Sequence, residues 1–204
     1  MVTLAIAPTH QFVRQFAYAT MQTMVNLYRD HLVAGLHERG LCYLAPTPIG
    51  DEPALSDDEL LLGLATTEDS RLRFALAGLL LLRPSLAERI AMMIEHAEGL
   101  PADAVASLKK QYLAAMYLQR LWRTRLQIKF GPRPFIPERY VAEQHLPSPD
   151  ELFGERGLLM LCQRSPYNDW SSYEQVIELL MQQPCVEVDM ADMVLDSQYL
   201  QRQI

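Results

Sequence analysis

The sequence predicts an all-α fold, an irregular multi-helix bundle of about seven helices with at most two very short strands. Three observations carry this expectation. Apolar residues recur at helical spacing over most of the chain. Serines followed three residues later by glutamate stand at several segment starts, where they can satisfy the free N–H groups of a helix end. Gly40, Pro84, Gly99, Gly131 and Pro184 close successive segments.

Taken in order, Thr9 caps a long first helix in which Phe12, Phe16, Ala19, Thr23 and Leu27 share a spacing that runs on to Gly40. No charge occurs between Arg14 and Arg29, so this helix is apolar around its whole circumference and is read as central core or an association face. Pro46, Pro48 and Pro53 make the next stretch an extended connector, with a short strand at most over Leu41 to Leu44. Ser56 and Glu59 form a capping box that opens a helix through Leu64. Thr66 or Thr67 starts the next, strongly apolar helix, which Pro84 ends. Ser85 and Glu88 spell a second capping box for LAERIAMMIEHAE, which stops at Gly99.

After Pro101, Leu108, Tyr112, Ala115, Leu118, Trp122 and Leu126 share one face and predict a single long amphipathic helix ending at Gly131. Five prolines between 132 and 149 exclude regular helix there. Ser148, Pro149 and Glu151 begin a short helix that Gly154 and Gly157 interrupt, ahead of LLMLC, which periodicity alone does not assign. Ser171 and Glu174 cap YEQVIELLMQQ, CVEV is a possible strand over Cys185 to Val188, and Asp189 caps a last helix. The expected organisation is a main helical domain over 1–130, a Pro-rich connector over 131–149, and a smaller acidic helical part over 150–204 packed on the first.

The phrase DSRLRFALAGLLL resembles one helix of a HEAT-type hairpin. No second copy follows at a period of roughly 40 residues, which leaves a solenoid without its defining repetition.

Of 204 residues 50% are apolar and 21% charged, which supports a packed core rather than disorder. The longest apolar run, Phe74 to Leu82, falls short of the roughly 20 residues of a membrane span. The first residues lack a basic region and a small-residue cleavage site, so the chain is expected in the cytoplasm, without a membrane role. Cys42, Cys162 and Cys185 lie far apart, odd in number, and are expected as reduced, half-buried thiols.

Phosphate-cradling glycine loops, His-Glu-x-x-His and Gly-x-Ser-x-Gly are all absent, and no cofactor or metal is implied. His96, beside Met92, Glu95 and Glu98, suits either a metal or acid/base role or a helix-end cation. His31 and His37 are six apart and fall on different helix faces, a poor geometry for joint ligation. Asp189, Asp192 and Asp196 line one helix face and read as a solvated acidic surface or a cation site.

Charge is sharply segregated. Between Ala104 and Pro137 there is no acid, while Lys109, Lys110, Arg120, Arg123, Arg125, Lys129 and Arg133 carry +7. Between Ser165 and Gln201 there is no base, while Asp169, Glu174, Glu178, Glu187, Asp189, Asp192 and Asp196 carry −7. On a helix, Lys109, Arg120 and Arg123 lie within roughly 60° of one another, with Tyr117, Trp122, Phe130 and Phe135 interleaved. The expected role is therefore a non-catalytic helical binding or adaptor protein, self-associating or recognising another protein. Its candidate partner- or phosphate-binding residues are Lys109, Arg120, Arg123, Arg125, Lys129 and Arg133. Two alternatives stay open: a nucleic-acid-binding regulator using the basic helix 104–130, and a helical enzyme with His96 in its site.

Overall fold

A computed structural model describes residues 28–45, 54–165 and 168–184. It is all-α: eight α-helices and one tight turn, with no strand among the described residues. The helices are α1 (28–38), α2 (Asp57–Thr66), α3 (Ser70–Leu82), α4 (Leu86–Glu95), α5 (Ala102–Leu121), α6 (Arg123–Phe130), α7 (Glu155–Gln163) and α8 (Trp170–Gln182). Among the described residues no helix is long and apolar enough to cross a membrane.

Gly40 ends α1 as expected, and the geometry says why glycine stands there. Its φ is +87°, Leu41 N–H donates back to Leu36 O (2.9 Å), and Gly40 N–H to His37 O (2.9 Å). That pair of bonds is the left-handed helix stop that glycine accommodates without strain. The chain then turns inward, and Cys42 N–H donates to the Gln183 side chain (3.1 Å). With its backbone used this way, Leu41 to Leu44 forms no strand. The possible strand over Cys185 to Val188, the first-helix residues 9–27 and the Asp189, Asp192 and Asp196 face lie outside the described residues.

The Ser56–Glu59 box is formed in both directions, Glu59 N–H to Ser56 Oγ and Ser56 N–H to Glu59 Oε2. The next helix starts later than expected, capped by Asp69, whose carboxylate accepts from Arg71 N–H (2.9 Å). The second box is not formed. Ser85 is itself helical in φ and ψ and makes no capping bond, while Glu88 is taken by Arg139 (2.7 Å). Nor does Ser171 cap α8: the helix begins at Trp170, behind Asp169.

The predicted long helix is interrupted at Trp122 (φ −105°, ψ 19°), which separates α5 from α6. Its amphipathic character is also corrected, since every residue from Gln111 to Gln119 is buried. α5 is the spine of the molecule, packed against α2, α3, α4 and α7, while α8 lies on α3 and α7. Polar groups on this spine are satisfied by the Pro-rich segment, which is strapped along it. Gln119 Nε2 donates to Pro134 O (2.7 Å) and Gln119 Oε1 accepts from Ile136 N–H (2.8 Å). Tyr112 donates to Pro137 O (2.9 Å) and Tyr117 to Pro147 O (2.6 Å). Tyr173 of α8 reaches Gln111 (3.3 Å) and meets Phe74 of α3 edge to face.

One core of buried side chains includes Leu32 and Leu36 of α1, Ile136 and Leu146 of the strap, Leu158 and Leu161 of α7, and Ile177 and Leu180 of α8. Contrary to the expectation from the sequence, Gly157 does not interrupt α7 but lets it approach α5. A Cβ there would stand 2.1 Å from the Tyr117 ring.

Candidate functional site

Because α5 is enclosed over 111–119, its basic residues emerge only on either side of that stretch, and the sequence's single basic face resolves into separate places. Near the N-terminal end, Lys109 pairs with Glu143 (2.7 Å) and lies over the Tyr140 ring, and Lys110 pairs with the buried Asp169. Only the second pair joins the basic stretch to the acidic C-terminal stretch among the described residues. Glu174 and Glu178 are exposed on α8.

At the other end, Arg120 is 13% exposed. Its guanidinium sits over Phe135 (3.6 Å to the centroid) and reaches Glu138 and Asp150 only at 3.7 and 3.8 Å. Burial pulls its pKa below the ordinary arginine value, against the upward pull of those two carboxylates, and its Nη1 is buried without a hydrogen-bond partner. Arg123 and Arg125 are exposed on α6, the first beside Phe135 (5.0 Å) and the second beside Trp122 (4.9 Å). Neither has a carboxylate partner among the described residues. Lys129 is half-buried and engaged. Arg133 turns inward, donating to Leu82 O at the end of α3 and to Phe130 O (3.4 Å), so its role is to close a helix terminus.

Arg120, Arg123, Phe135, Glu138, Pro149, Asp150 and Phe153 line a cleft of about 510 Å³. Its outer lip is the turn Glu151–Gly154, a feature sequence reasoning missed. Leu152 and Phe153 have φ of +47° and +56°, and Gly154 +90°. Holding a non-glycine residue in left-handed backbone costs roughly 1–2 kcal/mol, and here two adjacent ones are held so. What pins them is Gly154, whose backbone presses against α5 so closely that a Cβ would be 2.8 Å from Tyr117 O. Leu152 and Phe153 are thereby displayed 65% and 78% exposed. The only local signal was Gly154 after two apolar residues, since side-chain type does not encode a left-handed turn.

His96 ends α4 on the surface, its ring nitrogen bonded to Met92 O (2.9 Å). Among the described residues no group of three or more His, Cys, Asp and Glu is placed to hold a metal. Cys162 is buried and Cys42 half-buried, both as free thiols, and Cys185 lies outside the described residues.

No protein-family model matches the chain, and neither a curated protein nor a solved structure matches it.

Proposed function

We propose that the chain is a non-catalytic helical binding module of the cytoplasm that docks a protein partner, or a second copy of itself, over Arg123, Phe135 and Phe153. The observation that carries this reading is the Leu152–Phe153 pair, two large apolar side chains held in solvent by strained backbone at the edge of a cleft lined by two arginines and two carboxylates. Backbone strain of this kind clusters at functional sites, and aromatic residues with arginine are the side chains that dominate protein interfaces. A complementary segment would offer a carboxylate to Arg123 and an apolar side chain to Phe135 and Phe153. A photo-crosslinking residue placed at Phe153 tests this. Covalent adducts to a second copy or to a partner protein, lost in Arg123→Glu, are expected. Adducts equally abundant in that variant would remove the cleft from consideration.

A second reading, a nucleic-acid-binding regulator, is favoured by one observation: Arg123 and Arg125 stand exposed on a helix with no acid. It requires the full chain to bind a labelled single-stranded oligonucleotide with strong salt dependence. The protein-docking reading expects negligible binding.

A further inference from the structure

The second cleft, of about 380 Å³, lies between the N-terminal half of α5 and the end of α7. Its apolar walls are Val105, Leu113 and Leu161, and its rim carries three cations, Lys109, Lys110 and Arg164. No acid lines it. The volume is near the lower end of small-molecule pockets, roughly 300–1,000 Å³.

The charges around it do not balance. Lys109 is neutralised by Glu143 and Lys110 by Asp169. Arg164 has no carboxylate partner among the described residues: its two terminal nitrogens donate to the backbone carbonyls of Gln144 (2.7 Å) and His145 (3.4 Å). Those carbonyls come from a turn that repeats the helix-stop pattern of α1, with Leu146 N–H on Val141 O and His145 N–H on Ala142 O (both 3.0 Å). His145, with φ +47°, occupies the position that glycine takes after α1. The strained turn thus fixes a guanidinium at the rim by neutral acceptors, which orient it and leave its charge uncompensated. One net positive charge at the mouth of an apolar cleft is the complement of a monoanion with an apolar body.

We propose that this cleft binds a small monocarboxylate, its carboxylate on Arg164 and its aliphatic or aromatic body against Val105, Leu113 and Leu161. The site is separate from the Phe153 cleft, so either reading can fail alone.

Octanoate, octanol and octylammonium titrated calorimetrically into the full chain test the proposal. Octanoate should bind saturably, one per chain, and the other two far more weakly. Arg164→Gln should weaken octanoate by about tenfold, the loss of one charge-assisted contact. Ala106→Trp, a change at an exposed residue lining the cleft, should abolish binding while both lysine ion pairs remain. Helical circular dichroism unchanged from the parent shows that both variants are folded. Octanol binding as tightly as octanoate, octanoate affinity unchanged in both folded variants, or no saturable binding would each overturn the proposal.

Discussion

Cys162 shows how burial and a neighbouring charge set the chemistry of a side chain in this protein. It lies in the core beside Tyr173 and Asp169, and burial first, then the Asp169 charge, pushes its thiol up to about 12. An unfolded cysteine titrates near 8.5. The folded state therefore favours the neutral thiol, and the stability this contributes is complete below about pH 8.5 and is lost as pH rises toward 12. Tyr112, Tyr117 and Tyr173 are raised in the same direction by burial. The urea midpoint should fall with rising pH above about 9, and Cys162→Ala should flatten part of that decline. A midpoint that rises with pH over this window would contradict the assignment.

At the scale of the helix, two serines that look alike in sequence behave differently. Ser56→Ala removes a formed capping box and should cost about 1 kcal/mol in thermal or urea unfolding. Ser85→Ala removes no capping bond and should be close to neutral. Equal losses in the two variants would show that the second box forms in solution. The difference was not legible locally, because Glu88 is claimed by Arg139, a residue far along the chain that also holds Glu95. The same reason governs what else could be read. Helix positions followed from apolar spacing and from Gly40, Pro84 and Gly131, which act within a few residues. The enclosure of α5 did not follow, because helical spacing marks only one apolar face, and the polar groups of Gln111, Tyr117 and Gln119 can be buried only once Tyr173, Pro147 and Ile136 supply their partners. The basic residues were identifiable as a group, whereas their separation into two clefts, a helix-end cap at Arg133 and the exposed Arg125 depends on which distant segments fold onto them.

For the whole molecule, the connector and the acidic C-terminal part are structural members. α7 and α8 contribute Leu158, Leu161, Cys162, Tyr173, Val176, Ile177 and Leu180 to the shared core. A chain cut after residue 149 should lose cooperative urea unfolding. A sharp, parent-like transition in that fragment would show that residues 1–149 are self-sufficient. The enclosed spine also has a kinetic consequence. Amide hydrogens along residues 111–119 sit on a helix with no face toward water, so they can reach solvent only when surrounding helices separate. Their deuterium uptake then tracks global opening of the molecule, while residues 151–154, mostly exposed in a single strained turn, open by local fluctuation. One exchange experiment therefore reads two clocks, with the slow one measuring the free energy of the fold and the fast one the freedom of the lip that carries Phe153.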